Sequence, residues 1–296
     1  MEDCFSFLKR DLVKIFDVRQ VYNDPHALHF IRSNIQKNYL HEITYETDLP
    51  KRIELGDAVD DNPYHLYFYM ISRFYYFDTG ENTIPYFYVS VRNSYFAEAA
   101  LTALPSRFQR ELVKREGYEY VEMPGCNWYP DFIDEPWMPG YIRTLYKHIW
   151  NGYEQEKGKF SFISRKRGMK KARRIVNEDE LYEPLKKIGF SIYHLEDLTF
   201  EQQVRLFATS QIITGGHGAG LAHILFCKPT TFICEINHGK TPQKDHYKNL
   251  SIQCNLHHFM FNAAEPIPDG ETDGTEDLKV DVEKYIAALS HIKTLP

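Results

Sequence analysis

Several features are scarce or missing in this 296-residue chain. Its five cysteines are an odd number, widely spaced and without a C-x-x-C pair, so neither a disulfide framework nor a thiolate zinc site is indicated. No apolar run approaches the ~18 residues of a membrane span, and the first residues lack the hydrophobic segment of a signal peptide. We expect buried free thiols, no membrane span and a cytoplasmic location, or the secretory lumen if a leader or anchor has been removed.

An excess of one charge is also missing. The chain has 35 Lys+Arg against 41 Asp+Glu, a formal net charge of −6, and 43% hydrophobic residues. This ordinary globular composition excludes disordered, collagen-like and coiled-coil chains, and it argues against a nucleic-acid partner. At ~150 residues per domain, the length predicts about two domains or one large α/β unit.

Aromatic residues are concentrated in the N-terminal half, with thirteen between Tyr64 and Phe96. Such density favours strands and a sheet core, and the segment Asp78–Asn82 supplies turn chemistry between two aromatic runs. A platform on which sugars stack is the alternative interpretation of the same residues.

Proline and glycine punctuate the chain after this half, at Pro124-Gly125, Pro130, Pro136 and Pro139-Gly140. We therefore predict two domains, comprising residues 1–157 and residues 158–296. Residues 141–150 are predicted to form a helix that leads into the boundary.

Strand and helix patterns alternate through the C-terminal half. The predicted strands are residues 159–164, 190–194, 211–214 and 230–236, and the predicted helices are 178–188, 200–210, a short one ending at 226, and 281–292. Pro184, inside the first of these helices, is expected to kink or shorten it. The alternation predicts an α/β fold with a parallel sheet covered on both faces.

Ligands of such sheets bind beyond the carboxyl ends of the strands. Arg165, Glu196, the glycine-rich segment 215–220 and Glu235 end or follow the four predicted strands. A guanidinium and bare backbone N–H groups suit phosphate, whereas a carboxylate suits hydroxyls. The pattern indicates a phosphorylated sugar or a nucleotide as the ligand.

The glycine-rich segment, GGHGAG, matches neither of the well-known nucleotide fingerprints. It is not G-x-G-x-x-G, and it lacks the Lys-Ser/Thr of a P-loop. His217, in its middle, is interpreted either as a turn histidine satisfied by backbone or as a ring that contacts substrate or diphosphate.

The stretch from Lys157 to Arg174 carries nine basic residues in eighteen and no acidic one. A nucleic-acid patch is the competing interpretation, but the two aromatics within it are assigned to a strand. Arg165 and Arg174 are the predicted phosphate contacts, because a guanidinium binds phosphate in a bidentate fork.

These residues together resemble a known family. The matching motifs are Arg165, RRIVNE at 173–178, LTFEQ at 198–202, GHGAGL at 216–221 and EI at 235–236. Their order and spacing over residues 160–236 are similar to glycosyltransferase family 61, which includes plant enzymes that add xylose or arabinose and animal enzymes that add O-linked N-acetylglucosamine.

The resemblance implies an inverting transferase that moves xylose or N-acetylglucosamine from a UDP-sugar to a hydroxyl of a glycan or glycoprotein. It also implies the GT-B architecture, in which two Rossmann-like domains face each other across a cleft. Residues 1–157 would then be the acceptor-side domain and residues 158–296 the nucleotide-sugar-binding domain with its terminal helix.

The resemblance further implies which residues bind the donor. Glu235 would lie near the ribose or uracil. Gly216 is a further implied donor-binding residue. The residues implied for the diphosphate are Arg165, Arg174, Asn177, His217, Gly218, Ala219 and Gly220.

The catalytic base is less clearly indicated. The family commonly shows Asn-x-x-His followed four residues later by an acid, whereas Asn93 here leads to Phe96 and Ala100. Glu98 is the first candidate base and His217 the second, although Glu98 also suits an exposed helix face. No D-x-D occurs, so we expect no metal or other cofactor. A non-catalytic module that binds nucleotide-sugars or other anions is the alternative function.

Overall fold

The computed structural model describes ten segments of the chain. They are residues 52–59, 62–72, 86–91, 95–108, 110–114, 137–165, 174–237, 245–262, 264–267 and 277–295. The chain divides into two compact units, Met1–Leu145 and Tyr146–Pro296. The predicted division of roles between residues 1–157 and 158–296 stays a prediction.

The first unit contains a three-stranded parallel sheet with the strand order β1-β2-β3. Its described elements are β1 (Arg52–Val59), α1 (Pro63–His65), a π-helical turn (Leu66–Met70), β2 (Tyr86–Val91), α2 (Tyr95–Thr102), β3 (Arg110–Lys114) and α3 (Trp137–Leu145).

The prediction that the aromatic region forms strands is only partly right. Tyr86–Val91 is a strand, but Tyr67 and Phe68 lie in the π-helical turn and are almost fully buried. The Asn62 side chain accepts hydrogen bonds from the next turn, and Pro63 takes a first-turn position where no N–H is needed. This helix start outweighs the strand preference of the aromatics that follow. The predicted turn at Asp78–Asn82 lies outside the described residues.

The second unit contains a five-stranded, all-parallel sheet with the order β5-β4-β6-β7-β8. Its described elements are α4 (Lys147–Trp150), β4 (Phe160–Ser164), α5 (Glu178–Lys187), β5 (Phe190–His194), a 3₁₀ turn (Leu195–Asp197), α6 (Phe200–Thr209), β6 (Ile212–Gly216), a 3₁₀ helix (Ala219–Phe226), β7 (Phe232–Ile236), α7 (His246–Gln253), β8 (His257–Phe261), β9 (Ala264–Ile267), β10 (Asp277–Val280) and α8 (Val282–Ile292). The predicted α/β fold with a parallel sheet is confirmed.

Local sequence signals set several of these boundaries. Thr199 and Gln202 form the predicted capping box at the start of α6, and Asp281 accepts from the Lys284 N–H at the start of α8. Gly189 follows α5 with a φ of +89°, a left-handed conformation that favours glycine. Pro184 does not end α5, which continues to Lys187.

Two element predictions need correction. The helix predicted over 141–150 is two helices, α3 and α4, with Tyr146 between them. Gly215 and Gly216, predicted as loop, are the last two residues of β6. They pair with Glu235 and Ile236 of β7, and this pairing extends β6 to the carboxyl end of the neighbouring strand.

The second unit has a core on each face of its sheet. One face packs against α5 and α8, with Phe162, Ile212 and Cys234 among its buried side chains. Neighbouring residues alternate between faces, so Ile213 and Ile233 point to the other face, where both side chains are fully buried. Cys227, Cys234 and Cys254 are buried free thiols, as expected, and burial raises the pKa of Cys234 to about 12.

The strand order reverses between β4 and β6. The chain passes from β4 to β5 on one side and then returns to place β6 on the other side of β4. In open parallel sheets, such a switch point opens a crevice at the carboxyl ends of the two central strands. Arg165 follows β4 and His217 follows β6, so both lie at this edge. Across the described segments, no helix is both long and apolar enough to cross a membrane.

Candidate functional site

Arg165 joins the two strands that flank the switch point. Its Nη1 donates a hydrogen bond to the backbone carbonyl oxygen of His217. The backbone N–H of His217 in turn donates to the Ile236 carbonyl oxygen at 3.0 Å. This hydrogen bond fixes the backbone of His217, including the carbonyl that Arg165 contacts, beside the end of β7. The predicted phosphate-binding arginine and the predicted glycine-rich loop are therefore brought together.

Glycine at position 218 makes this contact possible. A Cβ at Gly218 would collide with the Arg165 guanidinium, and one at Gly220 would come within 2.9 Å of Leu195 Cδ1. The 3₁₀ helix begins at Ala219, where the first N–H groups have no carbonyl partner within the helix. Arg165 and the start of this helix thus place a positive charge and N–H donors together at the carboxyl ends of β4 and β6.

His217 belongs to a buried chain of three side chains. Its Nδ1 is hydrogen-bonded to Oε1 of Glu235, and Nε2 of His258 lies 2.9 Å from the second carboxylate oxygen, Oε2. Glu235 is only 2% exposed. Burial acts to raise the pKa of Glu235, but the two histidines outweigh it and lower that pKa to about 2. The carboxylate is ionised at neutral pH, and both of its oxygens have partners.

Strand register explains why these three residues meet. Glu235 is aligned with Gly215 of β6, and His217 follows Gly215 by two residues. His258 of β8 is aligned with Ile233, two residues before Glu235. Because a strand repeats every two residues, all three side chains project from the same face of the sheet.

Tyr247 of α7 covers this group. Its hydroxyl donates to the Gly218 carbonyl oxygen at 2.7 Å, and its ring centroid lies 5.2 Å from that of His217. The tyrosine therefore packs on the imidazole and holds the glycine-rich loop to α7.

A second buried carboxylate lies beneath Arg165. Glu178, the first residue of α5, accepts hydrogen bonds from the Ser164 hydroxyl, from the Tyr182 hydroxyl at 2.8 Å and from the Arg165 backbone N–H at 3.3 Å. Burial, together with Glu178, raises the pKa of Tyr182 to about 12. The carboxyl group of Glu178 therefore occupies the start of α5 and fixes the backbone of Arg165.

Arg174 and Asn177 have structural partners. The exposed Arg174 guanidinium forms a bidentate salt bridge with Asp277, with Nη2 to Oδ2 at 2.6 Å. Asn177 donates to the Val280 carbonyl at 2.9 Å and accepts from the Val280 N–H at 3.0 Å. Both residues therefore secure β10 to the start of α5, and their roles in donor binding stay predictions.

Glu98 lies in the first turn of α2, in the other compact unit, and is partly exposed. Its assignment as the catalytic base stays a prediction. Glu196 is exposed in the 3₁₀ turn after β5. No cluster of three or more His, Cys, Asp or Glu suited to a metal ion occurs within the described part of the chain.

Sequence reasoning missed His258, Tyr247 and Glu178. His258 lies in HHFMF, a segment to which no strand was assigned, and Tyr247 belongs to no motif. Glu178 ends the RRIVNE motif, but it was assigned only to a helix and not to the site. A polar residue at a buried strand position was the available signal for His258. The positions of Tyr247 and Glu178 depend on how their helices pack against the sheet, which the sequence does not show.

A parallel sheet whose strand order reverses at a switch point defines a Rossmann-like α/β unit. Comparison with known families agrees with this class. The model of the family described as Glycosyltransferase 61 matches residues 64–234, more than half of the chain. The chain belongs to glycosyltransferase family 61.

Three relatives share part of the sequence. The chain is 34% identical over 100 residues to the EGF domain-specific O-linked N-acetylglucosamine transferase of Drosophila melanogaster, covering 33% of this chain and 18% of the relative. It is 28% identical over 116 residues to the beta-1,2-xylosyltransferase of Arabidopsis thaliana, covering 33% and 22%. The Gallus gallus EGF domain-specific O-linked N-acetylglucosamine transferase is 35% identical over 69 residues, covering 22% and 13%. The matches thus span about a fifth or less of each relative.

Proposed function

We propose that this protein is an inverting glycosyltransferase that moves a sugar from a UDP-sugar to a hydroxyl of a glycan or glycoprotein. The observation that carries the proposal is the contact between Arg165 and the glycine-rich loop at the switch point. A guanidinium beside unpaired helix N–H groups is a site for an anion, and the diphosphate of a nucleotide-sugar fits it. Family membership supports the transfer chemistry.

The reaction proceeds by direct displacement. A base removes the proton of the acceptor hydroxyl, the acceptor oxygen bonds to the anomeric carbon, and the bond from that carbon to the UDP oxygen breaks with inversion. Arg165 and the start of the 3₁₀ helix stabilise the charge that develops on the departing diphosphate, without a metal ion. Glu98 is the proposed base and His217 the second candidate.

The donor is UDP-xylose or UDP-N-acetylglucosamine. The names of the relatives support both choices, because one is a xylosyltransferase and the other two are N-acetylglucosamine transferases. The proposed overall arrangement is GT-B. It is supported by the presence of a parallel sheet in each compact unit.

A donor panel tests the proposal. Thermal stability and UDP release are measured with UDP-xylose, UDP-N-acetylglucosamine, UDP-arabinose, UDP-glucose and GDP-sugars, with and without EDTA. Because a ligand that binds the native state stabilises it, a selective rise in Tm identifies the donor before the acceptor is known. We expect a response to one UDP-sugar that EDTA does not change. Loss of turnover with EDTA, restored by manganese, would contradict the metal-free mechanism.

A non-catalytic nucleotide-sugar binding module is the second candidate. It is motivated by Phe96 and Ala100, which stand where the family pattern has a histidine and an acid. Such a module would bind UDP in calorimetry but release none from any donor, even with broad acceptor mixtures.

A further inference from the structure

Two neighbouring carbonyl groups of the glycine-rich loop are held by side chains from other elements. Arg165, which follows β4, donates to the carbonyl oxygen of His217. The Tyr247 hydroxyl, on α7, donates to the carbonyl oxygen of Gly218 at 2.7 Å, and the Leu221 N–H donates to the same oxygen at 2.9 Å. Both carbonyl oxygens are therefore already used as acceptors within the protein.

The backbone N–H groups that follow these carbonyls have no such partners. Within the segments that the structure describes, the N–H groups of Gly218, Ala219 and Gly220 donate no hydrogen bond. Ala219 and Gly220 are also partly exposed, so a ligand can reach them. N–H groups at a helix start carry a positive partial charge and favour anions. The loop therefore offers donors to a ligand.

Peptide geometry connects Tyr247 to one of these N–H groups. The Gly218 carbonyl and the Ala219 N–H belong to the same trans peptide group, so they point in opposite directions. Because the Tyr247 hydroxyl holds the carbonyl, it also directs the Ala219 N–H away from α7. Tyr247 is 3% exposed and its ring packs on His217, which keeps the hydroxyl in place. The bond from Leu221 closes only a 3₁₀ turn, whose hydrogen-bond geometry is poorer.

We propose that Tyr247 is a positioning residue, whose hydroxyl fixes the peptide group between Gly218 and Ala219 so that the Ala219 N–H donates to a phosphate oxygen of the donor. This inference rests on the proposed function and deepens it. Tyr247 lies outside residues 64–234, which the family model matches, and it does not itself touch the donor. Its contribution is a loop that needs no rearrangement when the anion binds.

Amide NMR tests the contact. In protein labelled with ¹⁵N-alanine, saturating UDP should move the Ala219 amide proton downfield, and Ala219→Gly identifies the signal. Tyr247→Phe, which removes only the hydroxyl, should reduce this shift. Tyr285→Phe is the matched control, since it removes another buried tyrosine hydroxyl, one that contacts Thr214, and it should show the full shift. Equal shifts in the two variants, or an Ala219 signal that bound UDP does not move, would overturn the proposal.

Calorimetry with UDP tests the coupling between the hydroxyl and the N–H. Tyr247→Phe should weaken UDP binding on the order of fivefold, and Tyr285→Phe should leave it unchanged. Ala219→Pro removes the N–H at a first helical position, where proline is tolerated, and should also weaken binding. Adding Tyr247→Phe to Ala219→Pro should then cause no further loss.

The outcomes separate this proposal from the proposed function. Normal UDP binding by Tyr247→Phe, or a further fivefold loss in the double variant, would overturn the role of Tyr247 alone. If the unmodified protein binds no UDP, the proposed function fails. Circular dichroism checks the fold of each variant, and if Ala219→Pro does not fold, the NMR comparison decides.

Discussion

The Arg165 guanidinium donates to the backbone carbonyl of His217 and so bridges the ends of β4 and β6 across the switch point of the sheet. The backbone of Arg165 is also fixed, since its N–H donates to the buried carboxyl group of Glu178. The contact fixes the cation and the glycine-rich loop relative to each other before any ligand binds. Such preorganisation is what stabilisation of a leaving diphosphate requires.

Replacement of Arg165 by alanine should weaken UDP binding by about 1.5–3 kcal/mol, because a charge-assisted contact to the diphosphate is lost. The fold should be retained, since the side chain lies at the sheet edge and outside the core. Calorimetry with UDP measures the effect. Arg205→Ala, which removes an exposed arginine from α6, is the matched control and should leave UDP affinity unchanged. Equal affinities for both variants would contradict the placement of the donor site.

Gly218→Ala should displace the side chain of Arg165. The new Cβ would collide with the guanidinium, the mobile end of a long side chain, so the protein should fold but with the arginine displaced. We expect weaker UDP binding in Gly218→Ala and little further loss when it is added to Arg165→Ala. Gly152→Ala, where no atom lies within 4 Å, is the control. Additive losses in the double variant would show that Gly218 acts independently of Arg165.

Gly215→Ala should destabilise the fold. A Cβ at this position would lie 2.7 Å from the Ile163 carbonyl oxygen, a backbone atom of the adjacent strand β4 that cannot move without separating the strands. We expect a loss of roughly 1–3 kcal/mol in the free energy of unfolding, measured by denaturant titration. Gly140→Ala, on α3 with open space around it, should cause no loss. A stable Gly215→Ala variant would mean that β4 and β6 are less tightly apposed.

Asn177→Ala should lower the free energy of unfolding. Any loss of UDP affinity should follow from this loss of stability. The change leaves the N–H and carbonyl of buried Val280 without their partners, at a cost of roughly 2–4 kcal/mol. The exposed Asn151→Ala is the control and should stay within about 0.5 kcal/mol of the unmodified protein. Denaturant unfolding and UDP calorimetry together separate the outcomes. Weak UDP binding by a fully stable Asn177→Ala variant would support the predicted role in donor binding.

The buried carboxylate of Glu235 should make stability depend on acid pH. Its pKa is about 2 in the folded protein and about 4.5 when unperturbed, so its contribution is complete above the unfolded value and is lost as the pH falls towards 2. The stability difference between the unmodified protein and Glu235→Gln should therefore shrink by roughly 2–4 kcal/mol between pH 5 and pH 2. Unfolding titrations at several pH values measure this. A difference that is constant with pH would mean that Glu235 is not held ionised by its histidines.

Much of the second unit was predictable from sequence because its signals are local. The capping box at Thr199, the glycine exit at Gly189 and the alternation of strands and helices each depend on residues close in the chain. The first unit was less predictable. There, aromatic content favoured strands for Tyr67 and Phe68, whereas Asn62 and Pro63 start a helix whose aromatic side chains are then buried.

The sequence by itself determined the family, the parallel α/β fold of the second unit and the residues that end its strands, because motif order and hydrophobic periodicity are properties of the chain alone. Only the tertiary structure decided which charged groups pair. Glu235 meets His217 and His258, and Arg174 meets Asp277. These partners are far apart in sequence, and they come together through strand register and helix docking, which no local pattern encodes.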